Sequence, residues 1–226
     1  MRDGRKQACR IMGWQVEVLF EDADLVAVNK PSGLLSEGGG KRELDLEQLV
    51  SELVGRSALC CHRLDRLTSG VVLMRKNARL RAELSRIFET HRIRKEYWAL
   101  VDGVWDKSIQ KVESRIGAVG GGVWANVESG GKEAVSTFHV LGVDREKGAT
   151  WLRALLKTGR THQLRLHTLK AGCPLTGDPV YGKGREDGFF GLHARSLALR
   201  HPGSGESLDL VAEPPTAWKE WLARMA

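Results

Sequence analysis

The stretch Cys61-His62-Arg63-Leu64-Asp65-Arg66-Leu67-Thr68-Ser69-Gly70-Val71-Val72-Leu73-Met74 runs from a charged turn straight into an apolar segment. Val71 to Met74 suits a short buried strand. Ahead of it, Asp65 stands between Arg63 and Arg66, whose positive charge favours the ionised carboxylate. A salt-bridged turn before a strand reads the same way, so Asp65 depends on partners elsewhere in the chain to become a candidate for chemistry.

Upstream, Val16-Glu17-Val18-Leu19-Phe20 and Leu25-Val26-Ala27-Val28 read as two strands joined by the acidic turn Glu21 to Asp24, and Lys30-Pro31-Ser32-Gly33 stops the second. Gly38-Gly39-Gly40 reads as a flexible loop. No Gly-Lys-Ser/Thr follows it, so it does not make a phosphate-binding loop. Asp45 with Gln48 resembles a capping box opening a helix with Leu46, Leu49, Val50 and Leu53 on one face.

Downstream, Asn77 caps a helix whose Leu80, Leu84, Ile87 and Phe88 form an apolar stripe, with Arg79, Arg81, Arg86 and Arg92 mostly off it. Strands follow at 97–101, 135–141 and 150–156, with glycine-rich hairpin structure over 107–132. Thr158-Gly159-Arg160-Thr161 opens a helix to Lys170, closed by Gly172. More strands span 192–210, and a tryptophan-bearing helix covers 215–224. Strands outnumber helices without βαβ alternation or internal repeats. The expected fold class is therefore α+β, a large mixed, mostly antiparallel sheet flanked by helices.

With 226 residues and 42% hydrophobic content the chain can bury a core and reads as one globular domain over 15–226, preceded by a basic arm over 1–14. Lys plus Arg at 35 against Asp plus Glu at 28 leaves a formal charge of +7, which suits a polyanion. Cys9, Cys60, Cys61 and Cys173 lack CxxC spacing and read as reduced, cytosolic thiols. No apolar run approaches membrane-spanning length and no signal-peptide core appears, so neither secretion nor membrane spanning is expected, and a cytoplasmic location is.

Three clusters remain: His62-Arg63-Leu64-Asp65 with Thr68-Ser69-Gly70, Arg94-Lys95-Glu96-Tyr97, and Thr158-Gly159-Arg160-Thr161-His162-Gln163-Leu164-Arg165. Their order and spacing resemble the RluA-type family of RNA pseudouridine synthases, whose pattern reads HRLDxxTSG, then a basic residue before KxY, then TGRxHQxRxH. Val28-Asn29-Lys30-Pro31-Ser32-Gly33, Gly177-Asp178-Pro179-Val180-Tyr181-Gly182, Leu192-His193-Ala194 and His201-Pro202 fit as well. The resemblance covers about residues 16 to 215, without room for the extra N-terminal RNA-binding domain that many relatives carry.

This resemblance implies an isomerase that turns a uridine of ribosomal or transfer RNA into pseudouridine, with no cofactor and no metal, acting on RNA rather than DNA; a monomer is expected. It implies that Asp65 is the essential carboxylate, acting on C1′ as nucleophile or as a base leading to a glycal. Tyr97 would stack on the uracil and help remove the C5 proton, and Arg160 would hold Asp65 ionised. A uridine stacked in RNA must be flipped out to react, and the resemblance gives Arg63 the role of filling the gap. A phosphate contact or salt bridge is the plainer reading of that arginine.

Arg94 and Lys95 are candidates for RNA contact, as is Leu192. Gln163 and Arg165 either bind the RNA backbone or support their helix. His62, His162 and His193 read as packing or hydrogen-bonding residues around the site. His162 and His167 are five apart and lack the glutamate of a zinc-binding HExxH helix. Thr68 and Ser69 are expected to brace the Asp65 loop through side-chain to backbone bonds. Two other classes fit some features: a non-catalytic RNA-binding protein on the same fold, and a glycoside or nucleoside hydrolase with Glu89 or Asp178 as second carboxylate.

Overall fold

The computed structural model describes residues 7–40 and 43–225, with side chains from Arg10 onward. The elements of the first half are β1 (Gln7–Ile11), β2 (Trp14–Glu21), β3 (Leu25–Lys30), α1 (Leu46–Leu53), β4 (Leu59–Cys60), β5 (Ser69–Arg75), α2 (Arg81–Glu89) and β6 (Arg94–Asp102). They are followed by β7 (Lys111–Gly120), β8 (Val123–Val127), β9 (Lys132–Asp144), β10 (Ala149–Leu156), α3 (Gln163–Lys170), β11 (Leu192–Arg200), β12 (Ser207–Val211) and α4 (Lys219–Met225). The fold is α+β, as expected. Antiparallel pairing prevails, and no described helix is long and apolar enough to cross a membrane.

The chain divides into two compact units, one of residues 1–94 with 194–215 and one of 95–193 with 216–226. In the first unit β1, β2, β3 and β5 lie side by side and β11 follows β5, with β12 on β11 and β4 on β5. The basic arm is thus partly sheet, because Gln7 to Ile11 pair with Val18 to Trp14. Its first six residues lie outside the described ones.

β3 and β5 are apolar on both faces because both faces are covered. Leu25, Ala27, Val71 and Leu73 join one core cluster with Leu84 and Ile87 of α2. Val26, Val28, Val72 and Met74, equally buried, alternate to the opposite face by the period of two. Gly70 opens this arrangement. A Cβ there would lie 2.3 Å from the Ala194 carbonyl oxygen, and φ is +116°, so only glycine admits the approach of β11.

The capping box before α1 forms by half. Asp45 Oδ1 accepts from the Gln48 amide at 2.9 Å, but the Gln48 side chain donates to the Gly40 carbonyl at 2.7 Å instead of returning to Asp45. Asp45 Oδ2 takes the Gly39 amide, so this cap also fastens the glycine loop. Before α2, Asn77 caps a single 3-10 turn, Ala78–Leu80.

The second unit orders β6, β10, β9, β7 and β8. Trp98, Trp151, Trp221 and Leu222 pack around Leu100, Phe189, Trp218 and Met225, burying the terminal helix against the sheet. Gly142 makes the fit possible, since a Cβ there would lie 2.1 Å from the Met225 carbonyl oxygen. A second cluster of Ile116, Ala134 and Leu166, with Trp124 and Tyr181, seats α3.

One boundary departs from expectation. α3 starts at Gln163, not at Thr158, because His162 ahead of it takes φ +56° and breaks the helical path. Arg160 therefore sits in the turn ahead of the helix, not in its first turn, and its carbonyl accepts from the Gln163 amide at 3.1 Å.

Candidate active site

In the first unit, Asp65 lies on a turn closed by the Thr68 amide, which donates to the Asp65 carbonyl at 3.0 Å. The segment from Lys30 to Ser36 grips this turn through four hydrogen bonds from Ser32, Gly33 and Ser36. Ser36 Oγ donates to the Leu64 carbonyl at 2.9 Å and accepts from the Leu64 amide at 3.0 Å. Ser32 Oγ donates to the Leu67 carbonyl at 2.7 Å, and the Gly33 amide to the Arg66 carbonyl at 2.9 Å. The peptides on either side of Asp65 are thereby fixed while Asp65 itself stays partly exposed.

The flanking arginines are engaged by glutamates. Arg66 forms a two-pronged pair with Glu43 at 2.5 and 2.6 Å, and Arg63, its side chain 77% exposed, lies 3.3 Å from Glu37. Thr68 braces the turn through its amide only. Its buried hydroxyl has no hydrogen-bond partner among the described residues, contrary to the side-chain role expected of it. His62 is a packing residue: Nε2 accepts from the Leu73 amide at 3.1 Å and the ring stacks on Phe88.

The sequence places Lys30 at the end of a strand and within a segment that fits the family pattern, without a role for its side chain, yet Val26, Val28 and Lys30 share one face of β3 by the period of two, and all three are wholly buried. Its ammonium donates to the carbonyls of Pro31 at 3.0 Å, Leu34 at 2.7 Å and Arg66 at 3.0 Å. Burial drives its pKa down to about 7, partly opposed by the negative charge of Asp65. A cation at a core-facing register position was the signal in the sequence.

In the second unit, Lys95 and Tyr97 share one face of β6, while Glu96 and Trp98 take the other, where Glu96 pairs with Arg153 at 2.9 Å and Trp98 meets Trp151 edge-on. Tyr97 is half-buried, and Arg94 at the strand's start is exposed. Lys95 reaches the turn of Gly159 and Arg160: a Cβ on Gly159 would lie 3.1 Å from Lys95 Nζ. Burial, then the nearby Arg160 charge, holds the Lys95 pKa below the usual lysine range.

Gln163 organises the Arg160 turn. Its carbonyl accepts from Thr158 Oγ1 at 2.7 Å and the Arg160 amide at 3.0 Å, and its amide nitrogen donates to the Val135 carbonyl and Ser136 Oγ. Gln163 has no capacity left for RNA in this arrangement. Arg160 Nε donates to the Glu133 carbonyl at 2.9 Å, and its side chain is half-buried.

Arg165 takes the supporting alternative of the two expected for it. It is buried, both prongs of its guanidinium lie 2.7 Å from Asp178, and it stands over the rings of Tyr181 and Phe190. Burial alone would push the Asp178 pKa up, but Arg165 and the amides of Tyr181 and Val180 overcome this and hold it below the usual range. Such a carboxylate is a poor proton shuttle, which weakens Asp178 as the second acid of a hydrolase.

His162 Nδ1 lies 2.8 Å from the Tyr181 hydroxyl, His193 is wholly buried with its ring near Trp218, and Leu192 is buried as well. Cys60, Cys61 and Cys173 are free. Burial pushes the Cys61 thiol up to about 12 and raises the other two, so none is a ready nucleophile.

A profile of the RNA pseudouridylate synthase family matches residues 24–170. A tRNA pseudouridine synthase C of Pectobacterium carotovorum is 33% identical over 231 residues, covering 90% of this chain and 60% of the relative. A ribosomal large subunit pseudouridine synthase C of Haemophilus influenzae is 32% identical over 233 residues, covering 97% of this chain and 72% of the relative. Among solved structures, a human protein, RNA pseudouridylate synthase domain containing 4, superimposes with a TM-score of 0.74 at 26% identity, covering 92% of each chain. The matched span holds the Asp65 turn, β6 with Tyr97 and the Arg160 turn, and the chain belongs to the RluA-type RNA pseudouridylate synthase family, isomerases that convert uridine in RNA to pseudouridine.

Proposed function

We propose that this protein modifies a specific uridine in a folded segment of ribosomal or transfer RNA, with Asp65 as the carboxylate that acts at the sugar. Asp65 either attacks C1′ or removes a sugar proton to give a glycal. The N1–C1′ bond breaks, the uracil turns, C5 bonds to C1′ as Asp65 leaves that carbon or returns the proton to the sugar, and C5 gives up its proton while N1 gains one. Tyr97 serves as the aromatic platform for the base and aids loss of the C5 proton, and Arg160 serves the same reaction as the cation that favours an ionised carboxylate.

Arg63 is assigned to the space left by the flipped base. Its long, largely exposed side chain, tied only weakly to Glu37, suits a group that must move into RNA. Flipping costs a few kcal/mol, which contacts of this kind offset. Arg94 and Lys95 add positive charge beside Tyr97. No cofactor or metal is required, residues 15–226 act together as one catalytic domain, and the protein works as a cytoplasmic monomer.

The observation that carries this reading is the pinned turn around Asp65. Preorganisation of a partly exposed carboxylate by four serine and amide bonds is what attack at a fixed sugar carbon needs. Incubation with RNA tritiated at uridine C5 tests it. Isomerisation releases the label to water, a hydrolase instead yields free uracil, and a protein that only binds RNA yields neither.

A further inference from the structure

In the second unit a chain of buried polar groups runs from the Arg160 turn into the core. Gln163 lies beside that turn, but its amide is oriented from further off. Its Nε2 donates to Ser136 Oγ of β9 at 2.9 Å, Ser136 Oγ lies 3.0 Å from His167 Nδ1, and His167 Nε2 lies 3.1 Å from Ser114 Oγ of β7. Ser136 and His167 are wholly buried and Gln163 is 3% exposed.

Counting hydrogens gives the chain a direction. Thr158 Oγ1 accepts from the Val135 amide and donates to Gln163 Oε1, which also accepts from the Arg160 amide. The two amide hydrogens of Gln163 go to the Val135 carbonyl and to Ser136 Oγ. The Ser136 hydroxyl hydrogen is then left for His167 Nδ1, the one acceptor seen for it among the described residues, so the ring carries its own hydrogen on Nε2, facing Ser114. Four bonds thus point the same way, from the Arg160 amide to Gln163, Ser136, His167 and Ser114, and bonds in such a chain polarise one another.

We infer that His167 is a positioning residue for Arg160: by taking the Ser136 hydroxyl hydrogen on Nδ1 it orients the Gln163 amide that holds the Arg160 turn. The inference rests on the role proposed for Arg160. Burial, aided by the Lys170 charge, keeps the ring neutral at pH 7, the form in which Nδ1 can accept. Two substitutions separate this role from packing. Asparagine places an amide oxygen where Nδ1 stood and can still accept from Ser136, whereas glutamine places its amide near the position of Nε2 and keeps only the Ser114 side. Asparagine is the smaller, so it leaves the larger void.

The first test leaves the chain intact. In protein carrying 15N-histidine, the His167 ring signals, identified by their loss in His167→Asn, are expected at pH 7 to show a hydrogen on Nε2 and none on Nδ1. A hydrogen on Nδ1 overturns the inference.

The second test is kinetic. His167→Gln is expected to lower kcat about 10-fold or more, as displacement of a reacting group does, with KM for the RNA within about threefold. His167→Asn should stay within about threefold of wild-type kcat, although it is the more cavity-forming change. Ser136→Ala should lower kcat as His167→Gln does, and the two together should cost little more than either, because both break one chain. Equal losses in the two His167 variants, or a larger one in His167→Asn, would mark packing and overturn the inference. A rise in KM with kcat unchanged would mark an RNA contact and overturn it too. Arg160→Ala with wild-type kcat would instead defeat the role of Arg160. An inactive Arg160→Ala beside a fully active His167→Gln would defeat only that of His167.

Discussion

The Asp65 turn and the α3 region each carry a charged motif and treat charge in opposite ways. Around Asp65 the arginines are exposed and paired with exposed glutamates, and the buried cation comes from elsewhere, at the end of β3. In α3 the charge goes inside: Arg165 and Asp178, 7% and 0% exposed, grip each other in the core. The anchoring differs too. Asp65 is held by a segment some thirty residues earlier, and Arg160 by Gln163, three residues later. Position of the carboxylate therefore depends on tertiary register, whereas the arginine turn is largely set by its own local sequence.

The sharpest way to break this contrast is Asp65→Asn. A reactive, partly exposed carboxylate should lose at least about a thousandfold in kcat, with RNA affinity within about tenfold and little change in unfolding midpoint. Tritium release and a filter-binding isotherm on the same preparation check it. A large loss of stability would mean that Asp65 is a structural charge like Asp178.

Asp178→Asn should do the reverse. It leaves the Arg165 guanidinium buried without its counter-charge, a change that typically destabilises by about 3–5 kcal/mol. Denaturant unfolding reads it directly. Replacing both residues by apolar ones of similar volume should recover much of the loss, since a well-packed apolar pair can equal a buried ion pair.

How far the sequence foretold these two regions follows from what period and motif can carry. The apolar run of β5 and the α2 stripe were legible because each is a local pattern that one element satisfies alone, whereas Asn77 caps the 3-10 turn Ala78–Leu80 ahead of α2 rather than α2 itself. The start of α3 was not. Thr158-Gly159-Arg160-Thr161 looks like a helix opening, but Gln163 spends its side chain on that turn and His162 adopts a left-handed conformation, a tertiary outcome with no periodic trace. Arg165 was ambiguous for a similar reason: an arginine in a basic motif reads as an RNA contact until its partner, Asp178, is found thirteen residues on. Lys30 shows the opposite failure. Its register was in the sequence, and only the habit of placing lysine outside hid it.

His167 extends the contrast to pH. It is wholly buried between Ser114 Oγ at 3.1 Å and Ser136 Oγ at 3.0 Å, and burial, aided by the Lys170 charge, lowers its pKa to about 4. The folded state thus prefers the neutral ring. Its contribution is intact above the unfolded value near 6.5 and is lost as pH falls from there to about 4, because the unfolded chain binds the proton first. The loss amounts to up to about 3 kcal/mol. Unfolding free energy measured across that window should slope upward with pH in the wild type and flatten in His167→Gln. An unchanged slope would show that the ring titrates freely in the fold.

The smallest effect belongs to Arg66→Ala, and it is the most discriminating about how the Asp65 turn is built. Both prongs of Arg66 reach Glu43, a geometry that in the core would matter greatly, but both side chains are 45% exposed, and water screens such pairs. What the turn takes from residue 66 is its carbonyl oxygen, the common acceptor of the Gly33 amide and Lys30 Nζ, and alanine supplies the same oxygen. The unfolding midpoint should therefore stay within measurement error and kcat within about threefold. Proline at 66, which fixes φ and strains the backbone that presents this carbonyl, should cost far more than alanine. If alanine alone crippled the enzyme, the guanidinium would be acting on Asp65 or RNA directly, and the two arginines flanking the carboxylate would share one function.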